Sequence, residues 1–143
     1  MFIVAAGSRS SPKPPASSGL RCIVPKSSDT PRRILLVEDE AILALMLEQD
    51  VVEAGYVAVG PFRDLETAFR AAIDEPCDAA ILDINLDGER SYPVAEELAK
   101  RGIPFLFLSG YGAESMPEKF RGCLRLAKPY DPVDIVRMLD RIA

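Results

Sequence analysis

From Ile34 onward, short runs of consecutive apolar residues alternate with longer stretches whose apolar residues return every three or four positions. This alternation is the tightest constraint on what the chain can become. A run such as ILLV (34–37) contains no polar residue, which suits a strand covered on both faces better than one with a wet side. YVAVG (56–60), AAIL (79–82), PFLFLS (104–109) and LRLA (124–127) read as four further strands. The stretches between them read as helices. EDEAILALMLEQDVVEAG closes at Gly55, DLETAFRAAIDE carries Leu65, Ala68, Phe69, Ala72 and Ile73 on one stripe, and VAEELAKRG ends at Gly102. AESMPEKFRG reads as a weak helix interrupted by Pro117, and DPVDIVRMLDRIA opens with Asp131 as N-cap and Pro132 at its first position. Strands alternating with helices imply an α/β fold, a parallel sheet with helices on both faces and right-handed crossovers. Five such units suit a flavodoxin-like five-stranded sheet of order 2-1-3-4-5.

Residues 1–32 break the pattern. SRSSPKPPASSG and PKSSDTPRR are rich in Ser, Pro and basic residues and offer little apolar area against their ordering entropy. A disordered tail over 1–32 and a folded domain over 33–143 are therefore expected. The opening MFIVAAGSRS lacks a basic n-region, and its apolar run is too short for a signal peptide. No run approaches the roughly 18 apolar residues that cross a bilayer, so no membrane insertion is expected.

Several function classes fall away on composition. The net charge of −5 argues against a nucleic-acid surface, which needs clustered Lys and Arg. The chain has no histidine, so it cannot itself donate a phosphohistidine or build a His-based hydrolase. Cys22, Cys77 and Cys123 are widely spaced and odd in number, which suggests reduced thiols in a cytoplasmic protein rather than a disulfide or zinc framework.

In an open parallel sheet, function gathers outside the carboxyl ends of the strands. Glu38 and Asp39 follow the first strand, Asp83 the third, Ser109 the fourth and Lys128 the fifth, while the second ends at Gly60-Pro61. Singly these have modest explanations: Asp39 a helix N-cap, Asp83 a strand-end residue facing water, Ser109-Gly110 a turn, Lys128-Pro129 a joint. In the order 2-1-3-4-5 they meet on one rim. Three carboxylates at close range need a cation or a proton. Mg²⁺ suits such oxygen ligands, Lys128 adds a fixed positive charge and Ser109 a hydroxyl. The set forms a hole for a phosphoryl group with a carboxylate nucleophile at its base. Asp87-Gly88 reads as a turn with no part in that chemistry.

From about Arg33 to its end the chain resembles the receiver domain of bacterial two-component response regulators. The resemblance implies that Asp83 is the phosphoacceptor, that Asp39 binds Mg²⁺ directly and Glu38 through water, and that the main-chain carbonyl of Asn85 is a further ligand. It also implies that Ser109 and Lys128 contact the phosphoryl group and that the Lys128–Pro129 bond is cis. PFLFLSGYG and KPYDP, with LDINLDGE and PVAEELAKRG, further resemble the single-domain FATGUY subclass. Ser109 stands where that subclass has Thr, and Leu108 where it has Ala, adding bulk near the pocket. Arg125 replaces the switch aromatic three residues before the lysine, and Tyr111 is the candidate to take over its part.

The first helix carries a second feature. Leu43, Ala44, Leu47, Val51 and Ala54 make a stripe that can face the sheet, leaving Ile42, Leu45 and Val52 off it and Met46 at its margin. This apolar set either packs against neighbouring loops or is a partner surface, and the resemblance points to a docked kinase helix.

The expected function is thus a stand-alone response regulator, not a turnover enzyme. A sensor histidine kinase or histidine phosphotransfer protein would supply the phosphoryl group to Asp83, with Mg²⁺ as cofactor. No output domain is expected beyond Ala143, and the signal is expected to leave through a downstream protein target or as phosphate in a relay or sink. The helix holding Pro117 is the expected low-stability switch element. Two alternatives stand beside this: a receiver-like adaptor that works unphosphorylated, and a phosphatase of the haloacid-dehalogenase kind. The latter wants a second Asp two residues after the nucleophile, where Asn85 stands.

Overall fold

The alternation of apolar runs resolves into the expected layers. A computed structural model describes residues 30–110 and 116–143. Strands β1 (Arg33–Val37), β2 (Val57–Phe62), β3 (Ala79–Asp83), β6 (Phe105–Ser109) and β7 (Arg125–Ala127) form a parallel sheet of order β2-β1-β3-β6-β7. With a small hairpin set aside, this is the 2-1-3-4-5 order. That hairpin, β4 (Asn85–Leu86) and β5 (Glu89–Arg90), was not foreseen. Helices α1 (Ala41–Glu53) and α4 (Pro132–Ile142) cover one face; α2 (Leu65–Asp74) and α3 (Tyr92–Lys100) cover the other.

Successive strand residues point to opposite faces, so each apolar run feeds two cores. Ile34, Leu36, Ala79, Ile81, Leu106 and Leu108 pack with Leu47 and Val51 of α1 and with Ile135 and Leu139 of α4. Leu35, Val37, Ala80, Leu82 and Phe107 pack with the alanines of α2 and with Val94 and Leu98 of α3. An aromatic group caps the second core: Tyr92 stacks on Phe120 at 5.1 Å, and both meet Phe107 edge-on. In α2 the inward stripe is rotated from the expected one. Ala71 is buried and Ile73 is 46% exposed, because the small residues Ala68, Ala71 and Ala72 let α2 approach closely.

The helix ends follow local chemistry. Asp64 accepts from the Thr67 N–H at 2.8 Å and caps α2. Asp131 accepts from the Val133 N–H at 3.1 Å and Asp134 reaches back to the Asp131 N–H, a reciprocal cap on α4 with Pro132 in the first turn. Asp131→Ala is expected to cost about 1 kcal/mol in urea unfolding. Helix α1 begins at Ala41 rather than at Glu38, and α3 begins at Tyr92 rather than Val94. Of the segment read as a weak helix around Pro117, the described part, 116–122, contains one 3₁₀ turn, Glu118–Phe120.

Strand β2 runs on past Gly60 to Phe62 across a register shift. Gly60 has φ +106, and a Cβ there would lie 2.9 Å from the Leu36 carbonyl oxygen, so only glycine fits. Gly60–Pro61 and Lys128–Pro129 are both cis. Cys77 and Cys123 are half-buried, and burial pushes both thiols up, in keeping with structural roles. Cys22 and Tyr111 lie outside the described residues. Among those described, no helix is long and apolar enough to cross a membrane.

Candidate functional site

Register alone begins to assemble the rim. Val37 pairs with Leu82 and Asp83 with Leu108, so Glu38 emerges beside Asp83 at the carboxyl ends of adjacent strands. Ser109 pairs with Ala127, which brings Lys128 to the next position on the same edge, and the Lys128 N–H donates to the Ser109 carbonyl at 2.9 Å.

Lys128 is the hub. Its Nζ donates to Glu38 Oε1 and to Asp83 Oδ2, each at 3.0 Å. Glu38 is fully buried, Asp83 is nearly so, and the lysine is half-buried. The Glu40 N–H donates to Glu38 Oε2 at 3.2 Å, and the Asn85 N–H approaches Asp83 Oδ1 at 3.4 Å. Burial, then the Asp83 charge, raises the Glu38 pKa to about 7, against the bond and charge of Lys128 and the Glu40 N–H. For Lys128, burial works to lower the value, but its bonds to Asp83 and Glu38 hold it above the usual lysine range. One ammonium therefore serves two acids and leaves one of them electrostatically short of positive charge.

Asp39 does not cap α1. Glu40 holds the N-cap position, and Asp39 Oδ2 accepts from the Asp87 N–H at 2.9 Å. Carboxylate oxygens of Glu38, Asp39 and Asp83 all lie within 4.8 Å of one another. They open onto a cleft of about 530 Å³ lined also by Glu40, Asn85, Gly110 and Lys128. The donor set is all oxygen and acidic, the kind a hard divalent cation takes with retained waters. The sequence-derived set thus converges, with two qualifications. Ser109 ends β6 at this rim but is buried, and its neighbour Gly110 lines the cleft instead. Leu108, expected to add bulk near the pocket, is fully buried in the α1–α4 core.

Two participants were not found from sequence. Arg63, in the loop after β2, donates from Nε and Nη2 to the Asp39 carbonyl at 3.3 and 3.1 Å. The Asp87-Gly88 turn, read as inert, supplies the amide on Asp39. A lone arginine and an Asp-Gly pair carry no local signal that their partner lies at the end of β1.

On α1, Ile42 is 70% exposed and Leu45 57%, with Met46 and Val52 about as open. Among the described residues, no loop buries this set. Arg125, at the place of the missing switch aromatic, reaches Met116 Sδ at 3.9 Å.

No family model matches the chain. Solved structures do. SdrG from Sphingomonas melonis Fr1 is 39% identical, with a TM-score of 0.69, over 78% of this chain and 96% of that one. SdrG is also known in a BeF3-activated conformation, matched at 40% identity and a TM-score of 0.64 over 76% of this chain and 92% of that one. The receiver domain of the sensor histidine kinase PA1611 from Pseudomonas aeruginosa PAO1, with a magnesium ion in its active-site cleft, is 25% identical. It has a TM-score of 0.64 over 79% of this chain and 98% of that one. Among curated proteins, the transcriptional regulatory protein PdtaR of Mycobacterium tuberculosis is 29% identical over 77% of this chain and 56% of its own length. The chain spans about half the length of the curated relatives it matches. A rim of acids and one lysine on this sheet order, and relatives of this kind over the whole folded part, lead to one conclusion: the chain belongs to the response regulator receiver domains of two-component systems.

Proposed function

We propose that residues 33–143 act as a receiver whose Asp83 accepts a phosphoryl group from a phosphohistidine on a partner histidine kinase or phosphotransfer protein. The observation that carries this is the Lys128 ammonium held 3.0 Å from both Asp83 and Glu38 at the floor of an open acidic cleft. An Asp83 carboxylate oxygen forms the new P–O bond as the P–N bond of the donor breaks. The electron pair stays on the imidazole nitrogen, which takes a proton from water. The Lys128 ammonium stands beside the Asp83 carboxylate before transfer and beside the acyl phosphate after it. Asp39, Asp83 and the Asn85 carbonyl, with Glu38 through water, would hold Mg²⁺, which when bound offsets charge on the phosphoryl oxygens. BeF3, the group in the activated SdrG structure, is a phosphoryl mimic and supports the same chemistry here.

On this reading the chain is a regulator that is itself modified rather than a turnover enzyme, and it acts in the cytoplasm. Phosphorylation adds charge at the ends of β3 and β6 and biases binding of a downstream protein, or passes the phosphoryl group on. The intact mass of the wild type after treatment with a small phosphodonor and Mg²⁺ tests the proposal: one added phosphoryl group is expected.

The exposed face of α1, Ile42, Leu45, Met46 and Val52, is the proposed docking surface for the donor. It lies on the helix that starts three residues beyond Glu38. Leu45→Glu is expected to slow transfer from the cognate kinase about tenfold or more, the scale of losing an interface hot spot. Loading from the small donor should be unchanged. Equal kinase rates would place docking elsewhere.

A further inference from the structure

The Asp87-Gly88 turn is built more tightly than a connection needs. Asn85 pairs with Arg90 and Leu86 with Glu89 across the hairpin, and both turn residues are left-handed, Asp87 at φ +52 and Gly88 at φ +91. Two successive positive φ values are those of a two-residue hairpin turn. Asn85 Oδ1 closes the turn by accepting from the Gly88 N–H at 3.0 Å and from Arg90 Nη1 at 3.2 Å. Buried Leu86 and a bond from the Ser91 N–H to the Ile84 carbonyl at 2.9 Å fix the hairpin to the core. The product of this scaffolding is the Asp87 N–H, aimed at Asp39 Oδ2 from 2.9 Å. From the other side, Arg63 grips the Asp39 main-chain carbonyl. Asp39 is thus held by its backbone and by one carboxylate oxygen, through two separate loops, with its carboxylate still within reach of Glu38 and Asp83.

We propose that the 85–90 hairpin is a positioning element for cation binding: the Asp87 amide sets the rotamer of Asp39 so that its carboxylate faces the cleft before any ion arrives. A ligand already oriented loses less freedom on binding, and outer-shell partners of this kind govern affinity at metal sites. The inference rests on the reading of Asp39 as a cation ligand.

Gly88 offers the cleanest perturbation. A Cβ at this position meets nothing within 4 Å, so substitution adds no clash, but φ +91 is hostile to a β-branched residue. Gly88→Val is expected to raise the Kd for Mg²⁺, measured by calorimetry on the unphosphorylated chain, roughly tenfold. Gly88→Asn, which tolerates left-handed backbone, should bind close to wild type. Hydrogen exchange gives a second readout. The Asp87 amide, on an exposed residue, should exchange slowly in the wild type and at an unprotected rate in Asp39→Ala. If the wild type binds Mg²⁺ and Gly88→Val binds it equally well, the inference fails while the proposed function stands. Equal exchange of the Asp87 amide in wild type and Asp39→Ala would overturn it as well, even if Gly88→Val failed to fold. A wild type that binds no Mg²⁺ would overturn both.

Discussion

Asp83→Asn is expected to take up no phosphoryl group under conditions that load the wild type fully. An amide has no anionic oxygen to attack phosphorus, and its nitrogen lone pair is delocalised, so the nucleophile is removed at almost constant shape. The substitution should leave the fold intact, and the surrounding charges explain why. Asp83 is the second cause, after burial, of the raised Glu38 pKa, so neutralising it moves Glu38 back toward ordinary behaviour. Lys128 keeps its bond to Glu38 at 3.0 Å, and no buried charge is stranded. Asp83→Asn should therefore melt at or above the wild-type temperature in the absence of Mg²⁺. Loss of loading with retained stability isolates the chemistry. Loading equal to wild type would mean that another side chain accepts the group, and the role assigned to Asp83 would fall.

The sheet order was legible because the central strands β1, β3 and β6 are buried on both faces along apolar runs that have no polar interruption. The rim was legible because β1, β3, β6 and β7 each stop at a polar residue, and parallel register brings those stops together. What escaped was of another kind. Strands of two residues carry no periodicity, so β4 and β5 left no trace. The contact that gives their turn a function joins Asp87 to Asp39, 48 residues apart. Helix α1 begins late because Glu38 and Asp39 are drawn into the cleft, which overrides their fitness for a first helical turn. Ile73 was placed inward by its spacing, but α2 turns its alanines to the core, where small side chains bring the helix close to the sheet. The stacking of Tyr92 on Phe120 depends on two elements far apart in sequence.

The cation-free chain is expected to lose stability as pH rises from about 4.5 to about 7. Glu38 has an ordinary value of 4.5 and one of about 7 in the folded chain, raised first by burial and then by the Asp83 charge. Between those values the folded chain holds a proton that the unfolded chain has released, so the slope of stability with pH is negative there. The contribution is fully present below 4.5 and gone above about 7. At about 1.4 kcal/mol per pH unit it amounts to roughly 3 to 4 kcal/mol. Asp50, raised by burial and by Glu53, acts in the same direction, so the comparison needs a variant. Glu38→Gln should flatten most of the slope seen by urea unfolding between pH 4.5 and 8 in the presence of a chelator. An unchanged slope in that variant would show that Glu38 is not the titrating group. Mg²⁺ should oppose the loss in the wild type, because a cation shared with Asp39 and Asp83 favours the ionised Glu38, and its stabilising effect should be larger at pH 8 than at pH 5. The burial of Glu38, with the repulsion from Asp83 added to it, weakens the fold at neutral pH and so prepares the rim to take up positive charge.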